Sequence, residues 1–287
     1  MKPLLKPRVS VVIPTFNRAG LVCAAVDSAL VQTVPCEVVV CDHGSTDATP
    51  TVVREYGTRV RYLRREQDAG PIFCWLDGVL HSCGEYVHVN YDDDWIEPRF
   101  VERTLGLIDS GCGFVMTDAM VHQDDGTTNR LYEDLFPEGS NDAALAEEYL
   151  LASPRTVSPG CALFRRNDIL DGLLVGQIPF SRTRYHGAGP DLLMFLIAVL
   201  RHKSFGFVNE VLAHFRAHKD SITVNAMADP GRNQRLSSAY LTVKQYYLVL
   251  KWAERTRLPS VLWSLTELRL RAQRRLRALW AGSLGGP

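Results

Sequence analysis

Glu85-Tyr86-Val87-His88-Val89-Asn90-Tyr91-Asp92-Asp93-Asp94-Trp95 begins as an alternating apolar run and ends in three adjacent carboxylates. The run reads as a buried strand, and Glu97-Pro98 behind it as the opening of a helix. Three carboxylates at the end of such a strand repel one another. A hard divalent cation relieves that repulsion, because it prefers carboxylate oxygens and shares its shell with phosphate and water. An acidic turn capping the next helix would accommodate the same residues. The neighbouring sequence weighs between the two.

Upstream, residues 9–13 form a β-branched run stopped by Pro14, and 37–41 a second apolar run ending at Asp42. Residues 60–63 make a third strand, 85–91 the fourth and 112–118 a fifth. Helical patterns cover 18–31, the stretch from Gly44-Ser45-Thr46-Asp47 to Tyr56, 70–82 and 99–110. Strand and helix alternate with short connections, which predicts an α/β architecture: a doubly wound, mostly parallel sheet covered on both faces. Ligands of such sheets sit beyond the carboxyl ends of the strands. Thr15-Phe16-Asn17-Arg18, Asp42-His43-Gly44-Ser45 and Asp92-Asp93-Asp94 all fall there, so they should meet in one crevice.

After Asp118 the alternation fades. Asp124-Asp125-Gly126-Thr127 reads as a hairpin turn, 140–152 as helix, 160–164 as strand, 190–201 as a strongly apolar helix, and 208–216 as one or two short strands. Beyond Asp229-Pro230-Gly231 two long helical patterns, 232–256 and 259–280, form a helical C-terminal extension. The expected division is 1–225 for the main domain, with halves meeting near residue 120, and 226–287 for the extension.

The chain has 287 residues, 46% apolar and 22% charged, ordinary values for a globular protein. Lys plus Arg balances Asp plus Glu at 32 each, so no global field draws it to nucleic acid. Its seven cysteines are scattered without C-x-x-C spacing, which predicts reduced thiols and a cytoplasmic setting rather than disulfides or zinc. The proline-broken N-terminus lacks the apolar core of a signal peptide, and the longest apolar run is too short to span a bilayer.

Four motifs in order, Val9 through Arg18, Val40-Cys41-Asp42-His43-Gly44-Ser45-Thr46-Asp47, Gly70, and Asp92-Asp93-Asp94, resemble the family-two inverting glycosyltransferases with the A-type nucleotide-sugar fold, GT-A. The resemblance is good over residues 8–120 and continues weakly to about 223. It implies transfer of a sugar from a nucleoside diphosphate donor, by family habit a UDP sugar, to a hydroxyl acceptor. Residues 8–120 would then be the nucleotide-binding half and 120–225 the acceptor half. Pro14, Thr15, Asn17 and Arg18 would meet donor ribose and phosphate at a helix N-terminus. Asp42 would accept from the base, and Gly70 would let the backbone approach the nucleotide. Asp92 and Asp94 match the D-x-D ligands of Mn²⁺ or Mg²⁺, with Asp93 directed to donor sugar hydroxyls. Many relatives carry a second Asp where this chain has His43, which leaves His43 without an assigned role.

A single inverting displacement needs a base for the acceptor hydroxyl. The family places a carboxylate at a helix start in the second half. Gly187-Ala188-Gly189-Pro190-Asp191 has that form, with Asp191 as general base, although relatives more often show Glu-Asp where this chain has Pro190-Asp191. An Asp in a first helical turn also simply suits the helix dipole. His214 through Ser221 resembles the family segment over the diphosphate, making His218 a third metal or phosphate ligand and Arg216 a phosphate clamp. Trp75 and Trp95 are either stacking surfaces or core.

Leu262, Leu265, Leu268, Ala272, Leu276 and Leu279 keep one C-terminal helical face apolar, with arginines mostly off it. Packing on the main domain, a homodimer, or peripheral contact with the inner face of a membrane all account for that stripe. The acceptor (glycan, lipid-linked saccharide or small molecule) is not legible. Rival readings are a non-catalytic nucleotide-sugar-binding partner and a sugar nucleotidyltransferase. The latter usually carries a basic glycine-rich loop after its first strand, and Ile13-Pro14-Thr15-Phe16-Asn17-Arg18 is not one. A dehydrogenase would need G-x-G-x-x-G there.

Overall fold

The computed structural model describes residues 6–152, 157–174, 178–179, 190–218, 230–256 and 267–268. The second C-terminal helical pattern, the Gly187-Ala188-Gly189 lead-in and Lys219-Asp220-Ser221 lie outside them. Contacts divide the chain into two compact units, Met1–Lys244 and Gln245–Pro287. The first unit therefore runs on into the helix that the sequence assigns to the extension.

Four parallel strands build the first half: β1 (Val9–Thr15), β2 (Glu37–Asp42), β3 (Arg61–Arg64) and β4 (Tyr86–Val89), in the order β3-β2-β1-β4. Strand alternation sends Val11, Ile13, Val38 and Val40 to one face, where they form a core with Val22, Ala25, Val26 and Ala29 of α1 (Val22–Leu30). Val12 and Cys41 point to the other face, against α3 (Pro71–His81). There a Cβ on Gly78 would lie 2.4 Å from Val12 and 2.7 Å from Cys41. Both faces are thus covered, and α2 (Thr49–Arg54) completes the layer between β2 and β3. The β1–β4 ladder ends at Val12↔Val89, while β1–β2 runs on to Thr15↔Asp42. Pro14 sits past the last β4 pairing, where its missing N–H costs no ladder bond on that side.

Beyond β4 the sheet becomes mixed. Its path continues β4-β9-β6-β10-β5, with β9 (Ala162–Arg165) antiparallel to both β4 and β6 (Phe114–Gln123). The long β10 (Ser204–Ala217) runs parallel to β6 and antiparallel to β5 (Trp95–Ile96). The expected turn at 124–127 closes the hairpin to β7 (Thr128–Arg130). A ring cluster of Phe114, Phe164, Phe195, Phe205 and Phe136, with centroids 4.8–5.9 Å apart, fills this half. Helices α4 (Phe100–Ile108), α5 (Ala143–Ala152), α6 (Arg166–Gly172) and α7 (Pro190–Arg201) pack around it, and α8 (Pro230–Thr256) follows.

Three expectations need correction. Residues 140–142 belong to β8 (Gly139–Asp142), paired antiparallel with β10, and Asp142 then caps α5 by accepting from the Ala144 amide at 2.8 Å. The helix expected from Glu97-Pro98 starts at Phe100, because Trp95–Ile96 is drawn into the sheet beside His214 and Ala213. The one or two short strands at 208–216 are a single strand, with register shifts between Val208 and Val211 and between Val211 and Ala213. At the first shift the Asn209 amide leaves the ladder and donates to Glu138, which explains the broken pattern. Among the described residues no helix is long and apolar enough to cross a membrane. All seven cysteines are free, and Cys83 is exposed.

Candidate active site

The loops after β1 and β2 are tied together by their own hydrogen bonds. Asn17 adopts a left-handed backbone (φ 54°), which asparagine tolerates better than most residues. Its side-chain carbonyl accepts from the Thr46 and Asp47 amides at 2.8 and 3.3 Å, and its own amide donates to Ser45 at 2.9 Å. The Arg18 amide donates to Thr49 at 2.9 Å, and the His43 amide to the Thr15 carbonyl at 3.1 Å. Asn17 is therefore a brace between two loops. Its expected donor contact is a separate matter from this framework role.

Asp42 ends β2 with its carboxylate buried. One oxygen accepts from the Ser45 amide at 2.8 Å and the other from the Tyr62 hydroxyl at 2.5 Å, with Arg64 3.6 Å away. An ionised carboxylate offers about four lone-pair sites, so this pairing leaves acceptor capacity for a further N–H. Burial first, then the bond to Asp42, pushes the Tyr62 phenol above its usual range, which keeps it a donor. His43 reaches the loop before α3. Its Nδ1 lies 3.0 Å from Asp68, which also accepts from the Gly70 amide at 2.7 Å. Gly70 itself has φ 91° at the start of α3, and a Cβ there would meet nothing within 4 Å. Backbone conformation, rather than crowding, is what requires glycine at this position.

The acidic loop after β4 faces both neighbours. Burial, then repulsion from Asp93, pushes the Asp92 carboxyl up to about 7, opposed by Thr15, Arg18 and the Phe16 backbone. Those opposing groups identify what Asp92 looks at: the end of β1. Asp94 is buried and raised well above the carboxylate range by desolvation and Asp93, although it accepts from the Arg216 amide at 2.9 Å. Arg216 also donates through Nε to the Asp93 carbonyl at 3.3 Å, and His218 Nε2 lies 3.0 Å from the Asp93 carboxylate.

His214 and Arg216 near the end of β10 and His218 just after it alternate along the chain, and Arg216 and His218 grip the acidic loop. His214 contributes indirectly. It bridges Glu97 at 2.8 Å and His122 at 2.9 Å, and stacks on Trp95 with rings 5.0 Å apart and 5° from parallel. The Arg216 guanidinium lies 5.5 Å from the Trp95 centroid. Trp95 is half-buried between these groups, and Trp75 is buried beside Tyr91 at 5.4 Å, as part of the core.

Asp191 lies in the first turn of α7 and accepts from the Tyr240 hydroxyl of α8 at 2.6 Å. Burial, then the charges of Asp191 and Asp94, drives the Tyr91 phenol well upward. Tyr91 is thus close enough to both the acidic loop and Asp191 to feel their charges. The loops after β1, β2 and β4 lie side by side: Asn17 joins the first two, Asp92 faces the end of β1, and Arg216 and His218 hold Asp93 and Asp94. A separate cavity of about 660 Å³, lined in part by Glu85, Arg165 and Arg166, lies at the opposite end of β4.

Sequence reasoning missed Tyr62, Tyr91, His214 and Tyr240. Tyr91 adjoins the acidic triplet, and His214 keeps the i, i+2 spacing with Arg216, so both carried a signal. Tyr62 and Tyr240 act across elements distant in sequence and carried none. Among the described residues no three or more His, Cys, Asp or Glu side chains gather as a metal cage.

Residues 10–172 match the model of glycosyl transferase family 2. An uncharacterized glycosyltransferase of Rickettsia typhi is 30% identical over 257 residues, covering 85% of this chain and 76% of the relative. Among solved structures, Staphylococcus aureus TarS 1–349 in complex with UDP-GlcNAc superposes with a TM-score of 0.61 at 17% identity, covering 81% of this chain and 71% of TarS. The mannosyltransferase PcManGT of Pyrobaculum calidifontis, in complex with GDP-Man and Mn²⁺, gives 0.54 at 20% identity, covering 93% and 82%. The likeness in fold identifies the sheet as GT-A, and the sequence matches make the chain a member of glycosyl transferase family 2.

Proposed function

We propose that the chain is a divalent-cation-dependent, inverting glycosyltransferase that uses a UDP sugar and employs Asp191 as the base. The observation that supports this most is the meeting of the loops after β1, β2 and β4, with Asp191 and the acidic loop both acting on the Tyr91 phenol. Asp42 would accept the imide N–H of the base, and Arg18 and Arg216 would meet phosphate oxygens. TarS, the similar structure with UDP-GlcNAc, gives the choice of UDP its support.

Asp92 and Asp94 fit a hard cation. Both are carboxylates whose ionised forms are disfavoured by burial and by their neighbour, which is the deficit a divalent ion removes. His218 is the third candidate ligand through Nε2, the nitrogen now on Asp93. When bound, the ion would neutralise charge developing on the departing diphosphate. Asp191 would take the acceptor hydroxyl proton as that oxygen bonds to the anomeric carbon, while the opposite carbon–oxygen bond breaks and its electrons pass to the diphosphate. The one-step displacement inverts the anomeric centre.

The test is a thermal-shift panel of UDP, GDP and dTDP sugars with and without Mn²⁺, because a ligand selective for the native state raises its melting temperature. UDP sugars should shift the transition only together with the cation. Asp191→Asn should keep that shift and lose turnover by about 10³-fold or more, comparable with the loss of an acid–base group. A response to GDP sugars alone would overturn the nucleotide assignment.

A further inference from the structure

The helix α8 reaches the candidate active site. Within the first compact unit its residues 240, 243 and 244 share one face, as positions three and four apart do on a helix. Val243 is fully buried, and Lys244 Nζ donates to the Leu151 carbonyl of α5 at 3.0 Å. Leu241, off that face, is 56% exposed. This anchorage sets the position of Tyr240, whose hydroxyl donates to Asp191 Oδ2 at 2.6 Å.

We propose that Tyr240 is a positioning residue for Asp191: it fixes the plane of the carboxylate and holds it ionised, so that the part of α8 up to Lys244 belongs with the candidate site. A short phenolic hydrogen bond to a carboxylate stabilises its charged form. It also holds one oxygen, Oδ2, which restricts rotation of the carboxylate. The catalytic meaning of this contact rests on the reading of Asp191 as base, but the contact can be tested without that reading.

The experiment uses the full chain, free of metal, and follows its side-chain carboxyl ¹³C resonances through a pH titration. The Asp191 signal is the one lost in Asp191→Asn. In Tyr240→Phe its midpoint should rise by about one pH unit, the scale on which one strong hydrogen bond moves a carboxylate. Leu241→Ala, on the same helix but off the buried face, should leave it unchanged. Tyr240→Phe should also retain the melting shift given by UDP and Mn²⁺, showing an intact donor site. With UDP-N-acetylglucosamine and water as acceptor, the acid limb of the UDP-release profile should move up in step with the titration. An Asp191 midpoint unchanged in Tyr240→Phe would overturn the proposal. If the midpoint moves while Asp191→Asn still turns over normally, the base assignment fails and the contact stands.

Discussion

Asp42, Asp92 and Asp94 are chemically the same side chain in three environments. Asp42 is buried with an amide, a phenol and a guanidinium arranged around it. Asp92 and Asp94 are buried against the charge of Asp93, and their carboxyls are displaced upward. For Asp92 the folded value of about 7 lies above the usual 3.8. Its contribution to metal-free stability is therefore complete below about pH 4 and is lost as pH rises through about 7. Asp92→Asn should stabilise the metal-free chain at pH 8 by on the order of 2 kcal/mol, allowing for solvent at a partly exposed group, and change little at pH 4. Urea unfolding at the two pH values measures this. A variant less stable than the parent at pH 8 would mean that the repulsion is already relieved within the protein. The same variant should lose the Mn²⁺-dependent part of the donor melting shift. The acidic triplet was legible because its repulsion is local in sequence. The partners of Asp42 were not, because Tyr62 reaches it from β3.

At the level of elements, close packing leaves marks on glycines that the sequence alone does not distinguish. Gly84 lies where the chain enters β4, and a Cβ there would stand 2.6 Å from the Ser10 amide and 2.8 Å from the Tyr86 carbonyl. Those obstacles are backbone, so relief would require β1 and β4 to part. Gly106 is inside α4, is exposed, and has open space around it. Gly84→Ala should then destabilise the chain by about 1–3 kcal/mol, as overpacking does. Gly106→Ala should stabilise it by roughly 0.5–1 kcal/mol through helix propensity. Thermal melts of the pair should give opposite signs. Two shifts of the same sign would show that the approach of β4 to β1 is softer than the backbone contacts imply. The same distinction governs which elements could be read in advance. Strands β1 to β4 and their helices are local units with their own period, and their order follows from the alternation. Strand β8 looked helical because Ala143 and the residues after it continue a helical pattern, and only pairing with β10, sixty residues away in sequence, makes it a strand.

Across the whole molecule, the two halves of the sheet join where β4 meets β9, and His88 sits at that seam. It is fully buried, its Nδ1 lies 2.9 Å from the Ala162 carbonyl, and its ring is 4.4 Å from Phe100. The apolar alternation around His88 correctly predicted a buried strand. It could not reveal the seam, because β9 arrives from far along the chain and reverses direction. Burial, with the bond to Ala162 opposing it, lowers the His88 imidazole to about 4. The sign follows from the unfolded value of about 6.5: an imidazole kept neutral in the fold supports stability fully above that pH. That support is lost as pH falls from about 6.5 toward 4, because the unfolded chain takes up a proton that the native seam refuses. The loss amounts to about 3 kcal/mol over the interval. In His88→Asn the amide can still donate to Ala162 but cannot titrate, so its stability should fall less steeply with acid than that of the parent. Denaturant midpoints at pH 7, 5.5 and 4 would read the difference. If both proteins lose stability in parallel, the acid sensitivity lies elsewhere and the seam tolerates a charged imidazole. If the curves converge as the pH falls, a single proton at the junction of the two halves accounts for the difference between them.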